Sequence, residues 1–228
     1  MPTSSNPDLF SIINKKGQLK QLVYRNTLAS INLIKKVIAD LQIEYTKTYS
    51  LDPQAIPFIQ KDMGEFEVHL QFAGDMLIFT MHTNIFEFSR YHEVMSTNYI
   101  REDKSRSYCG IINIYNFLAD SYKYNRENDV GYLIGRIFIN KDKCYFIEGK
   151  REVGLLYNNF GTETLNEKAA GQIVESAILY SINFDLLTPP YDSLKEISLS
   201  EMKSIADSYA LKTGKRLGFK FQADKAEE

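Results

Sequence analysis

Cysteine is scarce in this chain: only Cys109 and Cys144 occur, and neither stands in a C-x-x-C or metal-like spacing. That excludes a disulfide framework and leaves two thiols that suit β-type runs as small apolar side chains. Glycine is sparse too, and no cluster of it falls between a strand and a helix. Phosphate and dinucleotide cradles need such clusters so that backbone N–H groups can approach the anion. The nearest candidate, Asn158-Asn159-Phe160-Gly161-Thr162, has one glycine and reads as a helix-entry loop. There is no G-x-S-x-G elbow and no local cysteine signature for a nucleophile. The three histidines, His69, His82 and His92, fit no H-E-x-x-H pattern, although His82, Glu87, His92 and Glu93 lie close enough in sequence to be weighed as metal ligands. They read instead as surface histidines, so no metal and no cofactor is expected. No window approaches the roughly 18 apolar residues of a membrane span, and no basic segment leads into an apolar stretch near Met1. A cytoplasmic chain without a membrane partner is the expectation.

What is present is the ordinary balance of a folded protein, 44% hydrophobic and 25% charged over 228 residues. The net charge of −2 is unevenly spread. Residues 1–50 hold Lys15, Lys16, Lys20, Arg25, Lys35, Lys36 and Lys47 against Asp8, Asp40 and Glu44, a local excess of four positive charges. This suits a solvated basic helix face or electrostatic docking of that face onto an acidic surface. The meander described below carries no basic run interleaved with aromatics, which argues against a nucleic-acid partner.

Periodicity gives the architecture. Residues 17–50 contain no proline, and Leu19, Leu22, Val23, Leu33, Ile34, Val37, Ile38, Leu41 and Tyr45 recur at three- and four-residue steps. This predicts one long helix, preceded by a flexible start over 1–16 and stopped by Asp52-Pro53 and Pro57. Its stripe weakens at Asn26, Thr27 and Ser30. A helix of some 30 residues reaches roughly 45 Å, more than a compact domain needs. It therefore packs on the body for part of its length or meets a second copy.

Beyond it, alternation over Glu65–Ala73 and a return over Met76–His82 predict a hairpin, with a parity break near Thr83-Asn84. A polar excursion over Arg90–Arg106 contains a short helix, Tyr108–Tyr115 is a strand, and 116–130 is a long loop. Gly131–Ile139, Cys144–Glu148 and Val153–Tyr157 follow as a β-meander. Thr164 and Glu167 form a capping box for a core helix over 165–187, and Ser198 and Glu201 form a second for a helix through Leu211. Arg216–Phe221 reads as an edge strand.

The chain is thus expected to be a single α+β domain, residues 1–228, with a sheet-and-helix body over 58–222 and a polar tail over 223–228. A central, mostly antiparallel sheet of five to seven strands carries the long N-terminal helix and the later core helix. In element order it resembles the sensory GAF and PAS modules, in which helices pack on one face of a central antiparallel sheet.

Arg136 shares parity with Tyr132, Ile134 and Phe138, and a cation facing a core must be paired or bind something. Arg90, Arg101 and Arg106 flank the polar excursion with His92, and arginine recognises carboxylate and phosphate bidentately. Arg136, Arg90, His92, Arg101 and Arg106 are therefore the expected binding residues for a small anionic ligand. The function that follows is a non-catalytic binding or interaction module that forms a homodimer or docks a protein partner through its first helix. The competing reading is an enzyme, hydrolase-like or metal-dependent, whose site, with His82, His92 and these arginines, assembles only in three dimensions.

Overall fold

A computed structural model describes residues 7–149, 160–184, 187–193 and 195–203. It shows an α+β chain with one six-stranded, open antiparallel sheet. The strands are β1 (Phe58–Asp62), β2 (Glu67–Phe72), β3 (Asp75–Glu87), β4 (Tyr108–Leu118), β5 (Tyr132–Asn140) and β6 (Tyr145–Gly149). Among the described residues each pairs only with its sequence neighbours, in the order β1-β2-β3-β4-β5-β6. The helices are α1 (Pro7–Thr48), α2 (Asn98–Glu102), α3 (Ala119–Lys123) and α4 (Glu167–Ile182). The expected strand at 153–157, the helix beyond residue 203 and the strand at 216–221 lie outside the described residues.

Helix α1 starts ten residues before the spacing predicts, so 7–16 is helical and not a flexible start. Pro7 in the first turn needs no N–H donor, and Asp8 there complements the helix dipole. From Val23 onward α1 lies across the sheet: Ile31, Ile34, Val37 and Ile38 join Leu70, Phe79, Ile112, Ile114 and Ile137 in one buried cluster. Ala170, Ile173, Val174 and Ala177 of α4 belong to the same cluster. Lys36 reaches Glu167 at 3.0 Å where the two helices meet.

The polar interruption of the α1 stripe is a seat on the sheet. Thr27 is fully buried over Gly110 of β4, where a Cβ would stand 2.0 Å from Thr27 Oγ1. Only glycine permits that approach. The hydroxyls of Thr27 and Ser30 donate back to Val23 O and Asn26 O, both at 2.8 Å, so neither is left unpaired. Asn26 Nδ2 donates to Asn140 O (3.1 Å) and Lys141 O (2.8 Å), tying α1 to the end of β5. At its other end α1 holds the edge strand: Gln42 Oε1 accepts from Gln60 N at 2.5 Å, and Lys35 pairs with Asp62 at 2.7 Å.

The opposite sheet face carries a smaller aromatic layer. Phe88, Val94, Ile100 and Phe160 pack on Cys109, Ile111, Phe138, Cys144 and Phe146. The polar excursion therefore folds back as a second cover, built from 3₁₀ turns at Glu93–Ser96 and Lys104–Ser107 flanking α2. Both cysteines are buried and unbridged. Burial pushes the Cys109 thiol well above its ordinary range.

Several local expectations shift. Strand β3 runs on to Glu87 through a register break between His82 and Phe86, where the parity change had been read. At the head of α4 the cap is Asn166, whose side chain accepts from Ala169 N at 2.9 Å, and Thr164 instead bridges Cys144. The Ser198–Glu201 box is present as two reciprocal bonds of 2.8 and 3.1 Å. Strand β1 had not been expected.

Candidate anion-binding cleft

The five sequence candidates do not gather in one place. A bulge decides the fate of Arg136: Ile114 pairs with Gly135 and Tyr115 with Leu133, leaving Ile134 as the extra residue. The side-chain phase shifts there, so Ile134 enters the helix-covered core while Arg136 stands opposite Asn113 and Glu148 on the other face. Its side chain is 41% exposed and forms a close ion pair with Glu148. The shared parity with Tyr132 and Ile134 is thus cancelled by one inserted residue.

His92 meets the other oxygen of the same carboxylate, with Nε2 3.3 Å from Glu148 Oε1. Its Nδ1 accepts from Val94 N, which places the proton of the neutral ring on Nε2, where it donates to Glu148. The ring is packed between Phe88 and Phe146. Arg106 is consumed elsewhere. Its guanidinium lies 4.3 Å over the Tyr99 ring, and it donates to Asp142 (3.0 Å), Tyr99 O (2.8 Å) and Glu102 (3.3 Å). Tyr99 donates to Asp142 and receives Asn140 Nδ2, both at 2.9 Å, and burial raises its hydroxyl above the usual range. Gly161, at φ +105, lies directly under that ring, so the glycine of the entry loop serves packing. Arg90 and Arg101 are exposed on the excursion. His82 is exposed against Phe86 and caps Asn84 N. Among the described residues no group of three or more His, Cys, Asp and Glu side chains could hold a metal ion, and no helix is long and apolar enough to cross a membrane.

The feature that does gather charge is a cleft of about 870 Å³ where α1 leaves the body. One wall is α1 itself, with Lys15, Lys16 and Arg25 beside the apolar Ile12, Leu19 and Leu22. The other is the end of the second layer, with Lys104, Ser105, Tyr108, Lys141 and a single carboxylate, Glu87. Lys16 stands 5.5 Å over the Tyr108 ring. Among the described residues no carboxylate lies within ion-pair distance of Lys15, Lys16, Arg25 or Lys104. Lys141 is held at 2.7 Å by Asp103, whose carboxyl is drawn well below its ordinary range by Lys141 and by Ser105. That pair fixes the wall, and the Arg106–Asp142–Tyr99 cluster buttresses it from behind.

Cations lining a concave surface with low-dielectric walls reinforce one another's field and draw anions to it. The volume falls within the range of small-molecule sites, and the lining combines an apolar floor with a few charged groups, as such sites do. Sequence reasoning saw the basic excess over residues 1–50 but not its counterpart. Lys104 and Lys141 come from a 3₁₀ turn and a β-turn more than 75 residues further on, and nothing local marks them.

Comparison of the chain with protein families, with curated proteins and with solved structures gives no match. The functional reading therefore rests on this geometry.

Proposed function

We propose that the chain is a non-catalytic binding module whose site is this cleft and whose ligand is a small anion with an apolar body. One observation carries the reading: four cations with no carboxylate partner among the described residues line a single concavity beside Ile12, Leu19, Leu22 and Tyr108. Lysine and arginine are normally solvated or paired, and this many around one hollow leave a field that an anionic group would neutralise. The apolar side chains would shed water against the rest of the ligand. The GAF- and PAS-like element order goes with a ligand-binding role as a likeness only, and the support comes from the cleft. No histidine or cysteine is among its lining residues, and the hydroxyl of Ser105 is given to Asp103 at 2.6 Å, which is why binding is favoured over catalysis.

The test uses 8-anilinonaphthalene-1-sulfonate, a sulfonate on an apolar ring system, titrated against the full chain by fluorescence. Saturable binding is expected, weakened by salt and reduced at least about tenfold in Arg25→Glu/Lys104→Glu, a change of about 1.4 kcal/mol. Both side chains are exposed, so melting temperature should be unchanged. Binding that is indifferent to the double substitution and to salt refutes the assignment.

A further inference from the structure

The cleft is longer than one anionic group needs. Its α1 wall runs from Ile12 to Arg25, roughly 20 Å at the rise of a helix, so a volume of about 870 Å³ makes it a trough and not a bowl. The side chains along that wall change in kind. Lys15 and Lys16 come first, Leu19 and Leu22 follow, and Arg25 ends the row. Lys15, Leu19, Leu22 and Arg25 succeed one another at three- and four-residue steps, so they share one side of the helix. The facing wall adds charge at the Arg25 end. Asn26, next to Arg25, donates to Lys141 O at 2.8 Å, and Lys141 Nζ holds Asp103, the neighbour of Lys104, at 2.7 Å. At the other end Lys16 stands over the Tyr108 ring. The cleft thus has two cationic poles, Lys15 with Lys16 and Arg25 with Lys104, parted by two leucines.

We infer that the ligand of this cleft is a dianion, an elongated molecule with an acidic group at each end and an apolar middle; the inference rests on the cleft being the anion site proposed above. Charge distribution favours two groups over one. Lys15 and Arg25 leave the helix roughly 15 Å apart along its axis, so a lone carboxylate or phosphate seated at one pole leaves the like charges of the other unmatched. One group at each pole quiets both. Charge count agrees. The four cations of the poles, which have no carboxylate partner among the described residues, share the lining with one carboxylate, Glu87, so two negative charges can enter before the cleft ceases to be positive. The leucines set what joins the two groups. Leu19 and Leu22 lie between the poles, and Leu22 is exposed, so an apolar spacer sheds water there. A charge placed midway would instead face side chains that offer it no donor.

Calorimetric titration of the full chain at low salt with sebacate and with decanoate tests this, because the two have the same carbon count and differ in the second carboxylate. Sebacate is expected to bind about fivefold more tightly. Adipate, too short to span the leucines, should show a clearly smaller advantage over hexanoate. In Lys15→Gln/Lys16→Gln, and separately in Arg25→Gln/Lys104→Gln, sebacate should fall to the affinity of decanoate, since decanoate can use whichever pole remains. All four side chains are exposed, so neither pair of changes should move the melting temperature. Equal affinity of sebacate and decanoate overturns the inference. So does an adipate advantage as large as that of sebacate, which would report net charge alone, or a sebacate advantage that survives the loss of one pole. If any of these results comes with salt-sensitive sulfonate binding that Arg25→Glu/Lys104→Glu weakens, the anion site stands and only the second acidic group is removed. Absence of sulfonate binding removes both.

Discussion

Substituting alanine for Gly110 isolates the contact on which the first helix is seated. The new Cβ would stand 2.0 Å from Thr27 Oγ1 and 2.8 Å from Thr27 Cβ and Cγ2. Rotating Thr27 gives little relief, because its hydroxyl is committed to Val23 O and either branch crowds the strand. Lifting the helix would break the Asn26 bonds to Asn140 and Lys141 and uncover Ile31 and Ile34. Overpacking of this kind costs roughly 1–3 kcal/mol. Alanine in a strand regains about 0.5–1 kcal/mol of chain entropy and propensity relative to glycine. The net loss expected is about 1–2 kcal/mol, or about 3–6 °C in Tm for a chain of this length. Urea unfolding followed by tyrosine emission, with no tryptophan to interfere, gives the free energy directly. Combining the change with Thr27→Ala, which removes both offending branches, should recover about 1 kcal/mol relative to the sum of the single effects. If Gly110→Ala is as stable as wild type, or if the two costs simply add, the close seat of α1 on β4 is refuted.

Asn26→Ala should cost about 1–2 kcal/mol, because Lys141 O loses its donor while Asn140 O keeps the bond from Lys143 N; chemical denaturation measures it. Ellman's reagent should find no reactive thiol in the native chain and two after unfolding, since Cys109 and Cys144 are both buried and Cys109 is held protonated. Asp103 titrates lower in the folded chain than its ordinary 3.8, so its contribution is complete above about pH 4 and is lost as the pH falls through the folded value. Asp103→Asn should therefore narrow the stability gap between neutral and acid pH, and the effect should be small because the pair is partly solvated. Thermal melts across that range check it.

The sheet was legible where apolar and polar side chains alternate. Val68, Leu70 and Phe72 alternate with Glu67, His69 and Gln71, which marks the strand and its helix-covered face, but His69, expected at the surface, is buried on the other face against Glu67 and Tyr122. Strand β1 escaped notice because its five residues, FIQKD, lie at an edge and only Phe58 and Gln60 are even half covered. Arg136 is paired, as a cation in mid-strand requires, but its facing was hidden for a different reason: a bulge adds one residue without any composition signal, and every facing beyond it inverts. The early start of α1 was masked by the serine- and asparagine-rich opening, although Leu9, Ile12 and Ile13 continue the stripe. The cleft was unreadable as a unit. Its cations come from a helix, a 3₁₀ turn and a hairpin loop spread over residues 15–141, and only the fold brings them to one place.

The consecutive strand order has a kinetic corollary. Every strand pairs with its sequence neighbour, across connections from two residues between β2 and β3 to twenty between β3 and β4, so each hairpin can zip as soon as its two arms exist, and such local pairing favours speed. The helical layer obeys the opposite schedule. Lys36 finds Glu167 only after 131 further residues have been made, and Ile34, Val37 and Ile38 have no lid from α4 until then. On a ribosome the first helix is born earliest and finished last, and a nascent chain arrested before residue 167 would carry a zipped sheet under a half-open roof.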